Sequence, residues 1–244
     1  MKHLNDFFDQ NVFHCTKDFK SALPIPMVYI DDFLPKEFAL DLYNECNHIN
    51  EKQWKLFTRN GSRMKEWNDL SCAPNAHKLV SYLHSSAVLQ QLSAVTGIEG
   101  LIPDPHLVGA GYNKSYCGDT LKVHTDFNWN DSLKLHRALS LIIYLTPGWD
   151  PSWGGALDFY DKARENIVTS NDCLFNRCLF WKYDKFGYHG YEQPLACPAN
   201  ICRTAFRVFY YTSNSQYLAD DPPHRSLYWI DEKTKLPIDK REEI

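Results

Sequence analysis

Apolar residues in the first hundred positions recur at helical spacing, and those after Pro103 recur at strand spacing. Phe38, Leu42 and Cys46 fall every fourth residue, with Leu34 one step earlier and Pro35 where a helix can begin. This predicts an amphipathic helix over about 36–49. A second helix is predicted from His77 to about Ala94, with Leu79, Val80 and Leu83, then Leu89, Leu92 and Val95, facing inward and Gly97 ending it. Between the two, Asn60-Gly61 signals a turn, and Trp54–Phe57 before it reads as a strand. Beyond Pro103 the segments become short, aromatic and β-branched. Leu107–Tyr112, Leu121–Phe127, Arg137–Leu145, Ala156–Tyr160, Asn166–Thr169, Arg177–Lys182, His189–Glu192 and Thr204–Thr212 all read as strands. Such a series predicts an antiparallel sandwich or barrel closed like a jelly roll, with the early helices packed on one sheet. The stretch after Asn214, with Pro222-Pro223 and the charged Asp239–Glu243, is expected to be extended or an exposed helix.

Composition narrows the class. A chain of 244 residues allows one large domain or two small ones at about 150 residues each. A formal charge of −4 argues against the nucleic-acid backbone as main partner, because that partner needs a net basic face. Aromatic residues at 14% exclude a disordered chain. No apolar run is long enough for a membrane span, and Met1 to Gln10 carries Asp6 and Asp9 without an apolar signal core. A cytoplasmic protein is therefore expected. Its eight cysteines are expected as reduced, mostly buried thiols. Cys173 to Cys178 and Cys197 to Cys202 are spaced at the wide limit for a zinc site and fall in or beside predicted strands, so zinc is not favoured.

The informative stretch is Leu121-Lys-Val-His124-Thr125-Asp126-Phe127. Residues two apart on a strand project from one face, so His124 and Asp126 can reach one metal ion. A lone His-x-Asp triplet is a surface pair far more often than a metal site, so its weight depends on a third ligand. His189, in Gly187-Tyr188-His189-Gly190 on a later strand, is the best candidate. Two histidines and one carboxylate form the facial triad of non-haem Fe(II) enzymes, leaving positions open for a co-substrate and O2. His3, His14, His48, His77, His84, His106 and His136 have no partner at strand spacing and read as ordinary histidines. Arg203, after the last ligand, opens Arg203-Thr-Ala-Phe-Arg207-Val-Phe-Tyr-Tyr211. Its planar fork suits the far carboxylate of 2-oxoglutarate. Arg207 shares the parity of Arg203, and an inward Arg needs an anionic partner: substrate, Asp158 or the co-substrate.

These residues lie within a longer resemblance, over roughly 105–213. Gly111-Tyr112-Asn113 is followed by Leu121-x-x-His124-x-Asp126, then by Arg137-x-Leu-Ser-Leu-Ile-Ile-Tyr144-Leu-Thr with Trp149. Gly154-Gly155-x-Leu-x-Phe-Tyr-Asp161, His189-Gly190-x-x-x-Pro194 and Arg203 complete the series. In this order the chain resembles the Fe(II)/2-oxoglutarate-dependent dioxygenases of the prolyl 4-hydroxylase-like group. The resemblance implies a mainly β chain with N-terminal helices around a double-stranded β-helix (jelly-roll) core. It implies a single oxygenase domain over 1–244: a helical support region (1–104), a catalytic core (105–213) and a C-terminal extension (214–244). It implies that His124, Asp126 and His189 bind Fe(II), that Arg203 and Tyr144 hold the distal carboxylate of 2-oxoglutarate, and that Tyr112 reaches the same co-substrate. Strand parity agrees for Tyr144, which shares a face with Ala138, Ser140 and Ile142, opposite Leu139, Leu141, Ile143 and Leu145.

The implied reaction hydroxylates an unactivated C–H bond and converts 2-oxoglutarate to succinate and CO2, with O2 consumed and ascorbate as an auxiliary reductant. Related halogenases lack the carboxylate ligand, so Asp126 favours hydroxylation. Asn128 and Trp129 beside the ligand motif, Arg207, and Arg59 in the loop after the first helix are the substrate-side candidates. They suit a prolyl or other protein residue, or a free small molecule such as an amino acid, a glycosyl or a natural-product intermediate. A non-catalytic metal-binding jelly-roll protein is the third alternative. The oligomeric state is open.

Overall fold

The computed structural model describes residues 16–214 and 221–228. The expectations for Met1–Gln10, His3, His14, Cys15 and Asp239–Glu243 lie outside the described residues. In chain order, α1 (Thr16–Ser21) leads to β1 (Met27–Ile30), α2 (Lys36–His48) and a hairpin of β2 (Lys55–Arg59) and β3 (Ser62–Trp67). Then come α3 (Pro74–Leu83), α4 (Ser86–Thr96), β4 (Ile102–Pro103), β5 (Gly111–Ser115), β6 (Leu121–Thr125), β7 (Trp129–Asn130) and β8 (Leu135–Tyr144). The series closes with β9 (Leu157–Tyr160), β10 (Ile167–Asn171), β11 (Cys178–Lys182), β12 (His189–Tyr191), β13 (Arg203–Thr212) and β14 (Leu227–Tyr228).

All strand pairs are antiparallel. The larger sheet runs β1-β11-β8-β13-β5-β3-β2, with β4 on β13 and β7 on β8. The smaller runs β10-β9-β12-β6-β14. Leu139, Leu141, Ile143 and Leu145 of the β8 segment join Phe206, Val208 and Tyr210 of β13 in the core beneath the helices. Ile142, Tyr144 and Ala205 face the other way and meet Leu157, Phe159 and Tyr191 of the smaller sheet. This is the mainly β jelly roll expected, with period-2 alternation directing one face to the helices and one to the interior between the sheets.

Two local expectations need correction. The long helix over His77–Ala94 is two helices, α3 and α4, broken where Ser85 turns extended and its hydroxyl accepts from Val88 N at 3.4 Å as an N-cap. The strand expected at Leu107–Tyr112 begins only at Gly111. Asp104 accepts from the amides of His106 and Val108, and Leu107 adopts φ 50°, so residues 104–110 form turns instead. Beyond Asn214, the described residues 221–228 agree with the extended reading and supply a short strand, β14, at the edge of the smaller sheet. The Asn60-Gly61 turn is observed, with φ 49° and 81° joining β2 to β3. The seven described cysteines are all free, and only Cys72 and Cys117 are exposed.

Candidate metal and co-substrate site

His124 and His189 come together because β6 and β12 are neighbours and these residues are register partners. Gly190 lets the strands approach: a Cβ there would stand 2.5 Å from Leu121 O. The imidazole centroids are 4.5 Å apart. Asp126, just beyond β6, sends Oδ1 to 3.8 Å from His124 Nε2 and 3.7 Å from His189 Nε2. Among the described residues these three form the single group of His, Cys, Asp or Glu side chains able to hold a metal, with ligand atoms within 4.8 Å of one another. Each Nδ1 is engaged by a backbone carbonyl, Lys122 O at 2.9 Å for His124 and Gly187 O at 2.8 Å for His189. Donation there turns the Nε2 lone pairs toward Asp126. Phe159 stacks on His189 at 5.2 Å and Tyr228 on His124 at 4.8 Å. Burial pushes the His124 imidazole down to about 3, helped by the neighbouring His189. Burial pushes the Asp126 carboxyl up, but Arg137 and the two histidines outweigh it and hold it below the usual range.

Arg137, which opens the Arg137-x-Leu-Ser-Leu motif, is the anchor of Asp126. Its Nη2 lies 3.0 Å from Asp126 Oδ2, and its Nε and Nη2 donate to Ser140 Oγ at 3.1 and 2.9 Å. The guanidinium is sandwiched by Phe127 and Phe209 at 4.5 and 3.5 Å and is 1% exposed. By simple alternation it would share the outward face of Leu139. The ladder to β13 skips Ala138, however, pairing Tyr210 with Leu139 and Tyr211 with Arg137. This bulge turns Arg137 into the interior.

Deeper in the same cavity lies Arg203, at the start of β13. Its Nε donates to Gly155 O at 2.9 Å, its guanidinium stacks on Tyr144 and Tyr191 at 4.8 and 4.9 Å, and its Nη2 has no partner. Gly155 makes this possible, since a Cβ would stand 2.9 Å from Arg203 Cδ. Burial works against the charge, but Cys173, Tyr144 and Tyr191 raise the guanidinium above its usual value. The Tyr144 hydroxyl is buried without a partner, and burial pushes it up. An unsatisfied Arg203 Nη2 beside an unsatisfied phenol costs free energy and suits a carboxylate.

Tyr112 does not join this site. It points through the larger sheet, where its hydroxyl donates to Leu42 O and Glu45 Oε1, both at 3.0 Å. Its neighbour Asn113 has the inward parity, lines the cavity and donates to Ala205 O at 3.2 Å. Asn128 is likewise not substrate-facing. Its amide bonds Asp221 O, Asp221 Oδ2 and Pro222 O, and its Oδ1 accepts from His224 N at 2.7 Å. Tyr183 donates to Asp221 Oδ2 at 2.5 Å and lies 3.1 Å from His224 Nε2. This buried polar cluster, in which His224 has no strand-spaced partner to mark it in the sequence, fastens residues 221–228 as a strap. The strap carries Tyr228 and Ser226 to the cavity wall. Trp129 packs edge-on against His136, away from the cavity. Arg59 sits at the rim over the Tyr228 ring at 5.6 Å. Arg207 lines the cavity and pairs with Glu66 Oε1 at 2.5 Å; Asp158 instead bonds Ser170.

A family model described as the 2OG-Fe(II) oxygenase superfamily matches residues 110–211. Over that stretch this chain is similar to the 2OG-Fe(II) oxygenases. The chain is similar in fold to a prolyl hydroxylase of Trichoplax adhaerens, solved with a peptide fragment of the hypoxia inducible factor oxygen degradation domain. The TM-score is 0.59 at 19% identity, over 89% of this chain and 94% of that one. It is also similar to a prolyl-4-hydroxylase of Pseudomonas putida, with TM-score 0.61 at 14% identity over 83% and 100%, and to one of Phytophthora capsici, with TM-score 0.57 at 16% identity over 89% and 71%. No curated protein sequence matches the chain. Oxygenases of this family use Fe(II), 2-oxoglutarate and O2. The residues present fit that set: two imidazoles and a carboxylate converge, and unsatisfied donors stand beside them. Among the described residues no helix is long and apolar enough to cross a membrane.

Proposed function

We propose that this chain hydroxylates an unactivated C–H bond, with Fe(II) held by His124, Asp126 and His189 and the distal carboxylate of 2-oxoglutarate held by Arg203 and Tyr144. The observation that carries this reading is the convergence of the three ligand atoms in one cavity with the unpartnered Arg203 Nη2 and Tyr144 hydroxyl. Iron with 2-oxoglutarate and O2 supplies the oxidising power, and 2-oxoglutarate leaves as succinate and CO2. The chain's own residues orient and insulate. The carbonyls of Lys122 and Gly187 hold the imidazoles in one tautomer, so both ligands are presented without reorganisation. Arg137 occupies Asp126 Oδ2, which leaves Oδ1 as the ligand atom facing the imidazoles. Ile142, Leu157 and Trp181 line the interior with apolar surface and exclude water from the reacting centre.

The substrate reading follows the fold: a prolyl or other residue of a protein, supported by the likeness to prolyl hydroxylases. A free small molecule is the second reading. It is favoured by the enclosure of the mouth, where Phe57 and Met64 of the β2–β3 hairpin and Tyr228 of the strap wall a cavity of about 150 Å³. Succinate release by the purified protein, given Fe(II), 2-oxoglutarate and air with a peptide or a metabolite pool, tests the reaction. Iron-dependent succinate that disappears in Asp126→Ala is expected, and a gain of one oxygen on a peptide or on a metabolite separates the two substrates. Undiminished turnover in Asp126→Ala would refute the ligand assignment.

A further inference from the structure

We propose that the substrate carries a carboxylate, or a mono-anionic group of similar shape, that docks on Arg207 at the cavity mouth; this rests on the oxygenase reading above. Arg203 and Arg207 stand on one face of β13, four residues and therefore about 13 Å apart. Arg203 serves the co-substrate end. Arg207 belongs to the other end, beside Met64, Glu66 and Phe209.

Charge balance is the first argument. The cavity is lined by three guanidiniums, Arg137, Arg203 and Arg207, and two carboxylates, Glu66 and Asp126. A divalent iron and a dianionic 2-oxoglutarate cancel each other. The loaded cavity therefore keeps one positive charge in excess, in surroundings where an uncompensated charge is costly. A substrate anion removes the excess. A neutral substrate leaves it in place.

The state of Arg207 says where that anion goes. Glu66 engages Nη2, Nη1 lies 3.8 Å from Met64 Sδ, and Nε has no partner. The Nε–Nη2 edge, which matches both oxygens of a carboxylate, is thus only half used. Phe57, Phe127, Phe209 and Tyr228 line the same cavity and offer apolar contact to the body of the anion.

The approach is basic as well. The hairpin that overhangs the mouth carries Lys55, Arg59, Arg63 and Lys65 against Glu66, in a chain whose net charge is −4. Glu51 and Asp119 temper Lys65 and Arg63. Arg63 and Lys65 stand on the opposite face of the hairpin; Lys55 and Arg59, on the face of Phe57 and Met64, are the cations that steer anions inward.

The test uses the full chain loaded with Zn2+, a redox-silent stand-in for iron, and saturating 2-oxoglutarate. Loading is verified first by calorimetry of 2-oxoglutarate binding. The probes are 4-fluorobenzoate and its neutral counterpart 4-fluorobenzamide, followed by fluorine NMR. The benzoate is expected to bind at least tenfold tighter than the amide. Arg207→Gln should erase that difference, Arg207→Lys should restore part of it, and Glu66→Gln should tighten the benzoate several-fold by freeing the fork. An ion pair that only holds β3 to β13 predicts the same direction for Arg207→Gln and Glu66→Gln, and that result overturns the proposal. So does equal binding of the two probes, or absence of benzoate binding. Failure to load at all would defeat the metal and 2-oxoglutarate assignment, and this proposal with it. Competition by free small carboxylic acids alone would assign the anion to a metabolite. Equal competition by a doubly capped peptide with one glutamate would assign it to a protein side chain.

Discussion

Replacing Arg137 by Met separates the electrostatic role of this side chain from its packing, because Met fills much of the same space between Phe127 and Phe209. The wild-type guanidinium lies 3.0 Å from Asp126 Oδ2 and is 1% exposed. At an effective dielectric of about 20, the attraction across that distance is about 5.5 kcal/mol. Removing one partner of a buried pair leaves the other uncompensated and costs about 3–5 kcal/mol. For a chain of this size, each kcal/mol moves the melting temperature by about 2–4 °C. The metal-free variant is therefore expected to melt on the order of 10 °C below wild type near pH 7.5. Mn2+, bound by the same ligands, supplies the missing positive charge beside Asp126. Its stabilising shift should be larger in Arg137→Met than in wild type. Differential scanning calorimetry with and without Mn2+ reads both numbers. A metal-free loss under about 2 °C, or equal Mn2+ shifts in the two proteins, would refute the reasoning, since either means that Asp126 does not depend on Arg137 for its charge.

Arg203→Ala is expected to raise the 2-oxoglutarate requirement about 100-fold, the worth of one or two charge-assisted hydrogen bonds, while metal affinity moves only a few-fold; parallel titrations of the two ligands check this. Tyr144→Phe should cost about tenfold at most in the same assay. Burial lowers the His84 imidazole from 6.5 to about 4, so the unfolded chain takes up a proton there before the folded one does. Its contribution, about 3 kcal/mol, is complete above pH 6.5 and drains away as pH falls toward 4. Urea midpoints of His84→Gln should accordingly lose less than wild type over that window. Asn128→Ala deletes four hydrogen bonds to residues 221–224, and amide exchange at Leu227 and Tyr228 should quicken by on the order of 100-fold.

Much of the framework is written in short-range alternation. The parity of Leu139, Leu141 and Ile143 against Ile142 and Tyr144 separates the two faces of β8. The His124-x-Asp126 pair with a later His189 carries the metal-site geometry, because a strand sends i and i+2 to one side. Alternation also explains the failures. It holds only while pairing stays in step, and the extra residue Ala138 brings Arg137 inward against its apparent parity. Tyr112 sits where turns at 104–110 delay the strand, and Asn113 has the inward position instead. Glu66 and Tyr228 reach the cavity through pairings between β3 and β5 and between β14 and β6, partners remote in the chain. Such pairings leave no periodic trace in one sequence. Asn128 looked functional because it follows the ligand motif, yet an amide that both donates and accepts also suits it to holding a passing backbone segment.

The strap has a consequence for the order in which the protein is made. Residues 221–228 leave the ribosome after every strand of both sheets except β14, which they contain. A growing chain can thus pair β6 with β12 and bring His124 and His189 together before the wall carrying Tyr228 exists. Messages broken off after β13 would yield chains with the metal ligands in an open cup. Such fragments would present His124, Asp126 and His189 to solvent without the Tyr228 wall.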